Sequence, residues 1–112
     1  MNAEVSHWMF HTHKMVILTK PILTNFSHKH ADTTDVLNEW YKITKDADWK
    51  DFNTLKEYFP STDYVGNDRY VFNIKGNSYR LIAMMFFDIR TVFIRFIGTY
   101  AEYSKIKNAS TV

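Results

Sequence analysis

Residues 69–98, RYVFNIKGNSYRLIAMMFFDIRTVFIRFIG, decide the fold. Apolar and polar side chains alternate along this stretch, and β-branched and aromatic residues dominate three runs. The runs are Arg69 to Lys75, Ser78 to Phe87 and Thr91 to Gly98. A period of two is typical of β-strands. The pairs Gly76-Asn77 and Asp88-Ile89 separate the runs and each predicts a two-residue turn. The stretch therefore predicts an antiparallel meander of three strands.

The turns also predict which side chains share a face of this sheet, because turn length sets the register of a hairpin. Asn73 should pair with Arg80, and Ile82 with Arg95. Leu81 should face Phe96. Arg80 and Arg95 then lie on one face, which also carries Asn73, Lys75, Val71, Ile82, Met84, Phe93 and Ile97. The opposite face is apolar and consists of Phe72, Ile74, Tyr79, Leu81, Ala83, Met85, Val92, Ile94 and Phe96.

Helical periodicity precedes the meander. Met15 to Leu18 predicts a first strand, and Pro21 suits the first turn of a short helix after it. Asp32 is the expected N-cap of a longer amphipathic helix whose apolar stripe contains Trp40. Asn53 is the expected cap of a third helix, from Thr54 to Phe59, which a turn at residues 60–63 ends.

After the meander, Thr99-Tyr100-Ala101-Glu102 has the form of a capping box, which predicts a short helix through Lys105 followed by a frayed polar end. Together these elements predict an α+β fold, with the N-terminal helices packed on one face of a small antiparallel sheet. Residues 15–112 should form this domain, and residues 1–14 should be a flexible N-terminal appendage.

Composition limits the classes of function. The chain has 112 residues, 46% of them hydrophobic and 17% aromatic, which predicts one folded domain. It has no cysteine, so disulfides, thiolate metal sites and cysteine nucleophiles are excluded. No apolar run reaches the roughly 18 residues of a membrane span, and the start does not resemble a signal peptide. We therefore expect a cytoplasmic protein without a membrane partner.

The arginines indicate a phosphate ligand. The net charge is only +2, but the basic residues concentrate in the second half of the chain. Arginine presents a planar fork of donors that matches a phosphate group and stays charged. Arg80 and Arg95 are therefore the candidate phosphate ligands, whereas Arg90, beside the second turn, is the expected control that does not take part in cleavage. The competing interpretation is that both are ordinary solvated charges.

Three segments resemble the HigB family of RelE-like mRNA interferases. They are residues 71–83 (VFNIKGNSYRLIA), 92–95 (VFIR) and 99–103 (TYAEY), with weaker similarity upstream from about Met15. The resemblance implies the toxin of a type II toxin-antitoxin system, an endoribonuclease that cleaves mRNA, commonly on the ribosome. It further implies a helix-turn-helix (HigA-like) antitoxin as partner, with operator DNA contacted only through that antitoxin.

Cleavage of RNA by internal transesterification requires a base, an acid and positive charge on the developing phosphorane, and it requires no metal or cofactor. On this basis the candidate catalytic residues are Arg80, Arg95, Tyr100, Glu102 and Tyr103. The candidate RNA-binding residues are Asn73, Lys75, Asn77 and Lys105. Family members often have histidine where this chain has Tyr100, and an acid where it has Ser104. Glu102 could instead serve only the capping box, and Tyr103 could simply pack.

Other functions remain open from the sequence. The His11/His13 and His28/His30 pairs suggest a metal site only superficially, because zinc needs at least three protein ligands and no third has a recognisable spacing. The chain could also be a non-catalytic RNA- or protein-binding module of the same fold. A third alternative is a regulatory subunit that acts only through a protein partner, with the mixed sheet face as its interface.

Overall fold

A computed structural model describes residues 14–112 of the chain. The predicted appendage, residues 1–14, lies outside the described residues except for Lys14. The helices are α1 (Pro21–Lys29), α2 (Thr34–Asp46), α3 (Phe52–Tyr58) and α4 (Tyr100–Ser104). The strands are β1 (Val16–Leu18), β2 (Asp63–Gly66), β3 (Arg69–Ile74), β4 (Tyr79–Phe86) and β5 (Thr91–Thr99). Between residues 14 and 112, no helix has the length and apolar character needed to cross a membrane.

The strands form one five-stranded sheet in the order β1-β5-β4-β3-β2. β2 to β5 pair antiparallel, which confirms the meander, and β1 adds a parallel edge beside β5. The α+β fold class is confirmed, although β1 makes the sheet mixed rather than wholly antiparallel. β2 was not predicted, because four residues ending at a glycine with a φ of +100° are too few to show an alternating pattern.

The helices cover one face of the sheet, which we call the inner face. Trp40 of α2 packs edge-on against Phe72 of β3 with ring centroids 5.3 Å apart, and Phe59 contacts the same ring at 5.5 Å. Leu23, Leu37 and Leu55 of the three N-terminal helices are buried against the same core. The predicted apolar face is therefore confirmed as the core, with the exception of Phe96.

Phe96 differs because of a β-bulge in β5. Ile82 pairs with Phe96 and Ala83 pairs with Ile94, so Arg95 is an extra residue without an opposite partner. The predicted register was right from Ala83 to the second turn but wrong by one residue beyond the bulge. Leu81 consequently faces Ile97 rather than Phe96, and Ile97 joins the core. A bulge inserts one residue into a strand, and strict alternation cannot reveal it.

The first turn begins one residue earlier than predicted. Positive φ angles occur at Lys75 (53°) and Gly76 (65°), not at Gly76 and Asn77. The predicted pairing of Asn73 with Arg80 is nevertheless confirmed. Because Lys75 has left the strand, its ammonium group contacts Asp32 at 2.9 Å instead of joining the face of Arg80. The predicted position of Lys75 on that face was wrong.

Two helix caps also differ from the prediction. Asp32 does not cap α2, which follows a 3₁₀ turn and has Thr33 at its N-cap without a side-chain hydrogen bond. The Asp32 carboxylate instead accepts hydrogen bonds from Lys75 and the Tyr79 hydroxyl. At α3 the N-cap is Asp51, which accepts from the Thr54 N–H at 2.9 Å, rather than Asn53. Tertiary hydrogen bonds thus take Asp32 away from the cap, whereas at α3 a neighbouring polar residue, Asp51, makes the local cap instead.

Candidate functional site

The face of the sheet opposite the helices, here called the outer face, carries three of the four arginines. Arg69 pairs with Met84, and Asn73 with Arg80, so Arg69 and Arg80 share this face by alternation along β3. Arg95 reaches the same face from the bulge, because its Nε and the guanidinium of Arg69 donate to the same oxygen of Val112. Arg80 and Arg95 therefore lie on one face, as predicted, although not in the predicted register.

Arg80 is held at one corner of the outer face with part of its guanidinium free. Its Nη1 donates to the main-chain oxygens of Asn77 at 2.9 Å and Tyr79 at 3.3 Å. Within residues 14–112, Nε and Nη2 make no hydrogen bond and no carboxylate pairs with this arginine. The free donors form the fork that suits an oxyanion.

Two tyrosines of α4 accompany the Arg80 guanidinium. The Arg80 Cζ lies 5.0 Å from the ring centroid of Tyr100 and 5.9 Å from that of Tyr103. Such contacts orient a guanidinium through the quadrupole of the ring. Tyr100 is 55% exposed, so its hydroxyl is accessible to a ligand. The structure thus brings Arg80, Tyr100 and Tyr103 together.

The capping box that starts α4 explains why Tyr100 and Tyr103 lie beside Arg80, and it also gives Glu102 a structural role. Thr99 Oγ1 accepts from the Glu102 N–H, and Glu102 Oε1 accepts from the Thr99 N–H at 2.8 Å, which confirms the predicted box. The Thr99 hydrogen bond, opposed in part by desolvation, holds the pKa of the Glu102 carboxyl below its ordinary value. A carboxylate with a lowered pKa is a weaker base.

Gly98 keeps this corner compact. It lies opposite Arg80 in the sheet. A Cβ at this position would meet the Phe96 ring at 2.5 Å and Glu102 Oε1 at 3.0 Å. A side chain here would therefore displace Phe96 or disturb the Glu102 cap, and with it the placement of α4 beside Arg80.

The other predicted RNA-binding residues fall into two groups. Asn73 is half-buried next to Arg80, Asn77 offers its main-chain oxygen to that arginine, and Lys105 is exposed at the end of α4. Lys75 is directed elsewhere, where its hydrogen bond to Asp32 lowers the pKa of the Asp32 carboxyl and raises that of the lysine. The same carboxylate raises the pKa of Tyr79.

Arg69 and the carboxyl-terminal segment were missed by the sequence analysis. The predicted frayed end is wrong, since residues 109–111 form a 3₁₀ turn near β2, and Asn67 Nδ2 donates to Ser110 O at 3.1 Å. Val112 O accepts from Arg69 at 3.0 and 2.8 Å and from Arg95 at 3.3 Å. The alternation of Arg69 with Val71 and Asn73 could have placed Arg69 on this face, but nothing in the polar tail indicates its path.

No metal centre emerges from the described residues. Among residues 14–112, no three histidine, aspartate, glutamate or cysteine side chains cluster closely enough to hold an ion. The His30 ring stacks on Phe26 with centroids 4.2 Å apart, an arrangement that packs the ring rather than presenting it as a ligand. His11 and His13 lie outside the described residues.

Comparison with known proteins adds a family. Residues 33–106 match the family model HigB_toxin, described as a RelE-like toxic component of a toxin-antitoxin system. The chain is 32% identical over 92 residues to the mRNA interferase toxin HigB of Escherichia coli K12, covering 80% of this chain and 88% of that protein. It is 28% identical over 94 residues to the mRNA interferase HigB of E. coli O6:H1, covering 82% and 91%.

Proposed function

The chain belongs to the HigB family, RelE-like toxic components of toxin-antitoxin systems, and from that premise we propose that it is an endoribonuclease that cleaves mRNA in the cytoplasm. The observation that supports this most strongly is the Arg80 corner: an arginine with two free nitrogens, no carboxylate partner among residues 14–112, and two tyrosines beside it. Its relatives carry the name mRNA interferase.

The proposed reaction is internal transesterification. The 2′-oxygen attacks the adjacent phosphorus as it loses its proton, and the bond from phosphorus to the 5′-oxygen breaks. The products are a 2′,3′-cyclic phosphate and a 5′-hydroxyl. Negative charge grows on the non-bridging oxygens, where the free Nε and Nη2 of Arg80 can donate. A donor aimed at developing charge stabilises the transition state more than the bound substrate.

Tyr100 and Tyr103 are the proposed proton carriers, because their rings are the titratable groups next to Arg80. A phenol can donate a proton to the departing 5′-oxygen, and a phenolate can accept one from the 2′-hydroxyl. Glu102 is the weaker candidate, since it is engaged in the capping box and the pKa of its carboxyl is lowered. Arg95, Asn73 and Lys105 would contact the RNA backbone from the same face or its edge.

A toxic component has an antitoxin as its partner, and we propose one of helix-turn-helix (HigA-like) type that reaches operator DNA itself. The outer face suits such a partner because it combines three arginines with half-buried Met84, Phe93 and Phe96. Covering Arg80 would silence the toxin directly. The ribosome is the proposed setting for cleavage, since a small basic face with few base-reading groups gains from an mRNA that is already positioned.

Induction of the chain in cells, with and without the neighbouring antitoxin gene, tests this proposal. The 5′ ends of cellular mRNA should multiply only without the antitoxin, and they should carry hydroxyl groups. Purified protein should cleave mRNA on ribosomes faster than the same mRNA alone, with EDTA present throughout. Binding of RNA without cleavage in either setting would favour the non-catalytic binding module instead.

A further inference from the structure

Arg69 and Arg95 converge on a single oxygen at a distance from the Arg80 corner. Val112 O accepts from Arg69 Nε at 3.0 Å, Arg69 Nη2 at 2.8 Å and Arg95 Nε at 3.3 Å. One acceptor is thus bound by two nitrogens of one guanidinium and by a second guanidinium. This set of donors is suited to a phosphate oxygen. A main-chain oxygen here occupies the position that a phosphate oxygen would take.

No acidic side chain neutralises this pair. The ion pairs within residues 14–112 join Lys14 to Asp46, Lys75 to Asp32 and Arg90 to Asp48, and none involves Arg69 or Arg95. Two guanidinium charges therefore share one acceptor group, that of Val112, so the pair keeps a net positive charge that is available to a phosphate. An RNA phosphate carries a full negative charge and would compete effectively for both.

The segment that supplies the oxygen is lightly anchored. None of residues 109–112 is buried. The Ser110 and Thr111 hydroxyls are bonded to Asn108. Apart from the two arginines, the hydrogen bond from Asn67 to Ser110 O and packing beside β2 join the segment to the rest of the fold. No fully buried side chain of residues 109–112 holds the segment in place.

We propose that Arg69 and Arg95 form a second phosphate-binding site for RNA, on the same face as the cleavage corner, and that residues 109–112 cover it until RNA displaces them. This inference rests on the proposed function, since it names a subsite of the same RNA-binding face. It assigns Arg95 to backbone binding rather than to the reacting phosphate, and it gives Arg69 a role that the sequence analysis did not predict.

The test measures binding without cleavage. The probe is a short single-stranded RNA with 2′-O-methyl groups throughout, which cannot undergo attack by a 2′-hydroxyl. Its affinity is measured by fluorescence anisotropy over a range of salt concentrations. Arg69→Ala should weaken binding about tenfold and lower the slope of log affinity against log salt by about 0.7, the value for one single-strand phosphate contact. Lys45→Ala, an exposed cation on α2, is the control and should change neither.

Removal of residues 109–112 tests whether this segment covers the Arg69 and Arg95 site. The shortened protein should bind the probe several-fold more tightly, and this gain should disappear in the Arg69→Ala background, because the two changes act on the same contact. Melting temperatures show whether each variant is folded. If Arg69→Ala does not fold, Arg69→Lys takes its place: it should keep most of the salt slope but bind more weakly, since it retains the charge and loses the fork.

The proposal is overturned if Arg69 variants match Lys45→Ala in affinity and slope, or if the shortened chain gains affinity equally with and without Arg69. Arg69 would then be only a tether for the carboxyl-terminal segment. Cleavage of natural RNA is assayed separately. If the Arg69 variants change binding as predicted but the protein never cleaves RNA, the second phosphate site is supported and the ribonuclease proposal is rejected. If the protein cleaves RNA but the Arg69 variants bind like Lys45→Ala, only the second site is rejected.

Discussion

Arg80 and Arg90 are both arginines, but the hydrogen bonds and charges around their guanidinium groups differ. Arg90, at the second turn, donates from Nε to Asp48 at 2.6 Å and from Nη1 to Phe87 O at 2.6 Å. Its backbone has a positive φ of 51°. Arg80 has main-chain acceptors for Nη1 only and no carboxylate partner in the described part of the chain. A paired arginine stabilises the fold, and an arginine left with free donors is available to a substrate.

Arg90, the predicted control for cleavage, therefore has a structural role that the sequence did not indicate. Its side chain is only 20% exposed and links the second turn to the segment after α2. Arg80→Ala and Arg90→Ala each remove one guanidinium, but we expect the first to change the cleavage rate and the second to change stability.

The largest expected effect is that of Arg80→Ala on cleavage. Removing one donor to a developing oxyanion typically slows an enzyme by about 100-fold or more, roughly 3 kcal/mol of transition-state stabilisation. We expect that loss mainly in kcat measured on ribosome-bound mRNA, with a smaller change in KM. Arg80→Lys, which keeps the charge but not the fork, should recover only part of the rate; full activity in both variants would show that Arg80 is a solvated charge.

The next effect is that of Arg90→Ala on stability. The Asp48 pair is partly buried, so its loss should lower the free energy of unfolding by about 1–2 kcal/mol and the melting temperature by roughly 5–10 °C. Cleavage per folded molecule should be unchanged. Asp48→Ala should produce a similar loss, and the double variant should add little to it. Additive losses would mean that the two side chains act independently.

A smaller effect separates the two possible roles of Glu102. Glu102→Gln keeps an oxygen that can accept from the Thr99 N–H, so it should preserve the cap and leave the cleavage rate within a few-fold of wild type. Thr99→Ala removes the other half of the box and should cost about 1 kcal/mol of stability. A loss of cleavage by Glu102→Gln comparable to that of Arg80→Ala, at unchanged melting temperature, would establish Glu102 as a proton carrier.

The smallest effect concerns Asp32 and pH. The hydrogen bonds from Lys75 and Tyr79 hold the pKa of this carboxyl below its ordinary value, so folding favours its ionised form. Its contribution is present above the unfolded pKa and is lost as the pH falls through the folded pKa. Asp32→Asn should therefore unfold at lower urea than wild type at pH 7, and the difference should close below about pH 4. Asp35→Asn, an exposed residue at the start of α2, is the matched control.

The sequence predicted most of the fold because its strands are long and strongly alternating. Phe72, Leu81, Ala83 and Ile94 lie on the inner face as expected, and Trp40 of the predicted apolar stripe is part of the core. The failures have local causes: the bulge at Arg95, the early turn at Lys75 and the competition between polar residues for helix caps. Each is a local shift of one or two residues, which periodicity does not detect.

The candidate site was predicted less completely. Arg80, Tyr100 and Tyr103 come together because the capping box starts α4 directly after β5. Lys75 lies away from the outer face because it forms an ion pair with Asp32. Arg69 joins the other arginines of that face through the carboxyl-terminal segment, which folds back to it. Contacts between segments 43 residues apart carry no local signature.

The most direct test of the central claim compares Arg80→Ala and Arg90→Ala in one experiment, with single-turnover cleavage of ribosome-bound mRNA and the melting temperature recorded for each. We predict a crossed result: Arg80→Ala loses about 100-fold in rate with little change in melting temperature, and Arg90→Ala loses stability while its rate per folded molecule stays at the wild-type level. Equal rates for the two variants, or a rate loss in Arg80→Ala that only follows its unfolding, would contradict the assignment of Arg80 to the reacting phosphate.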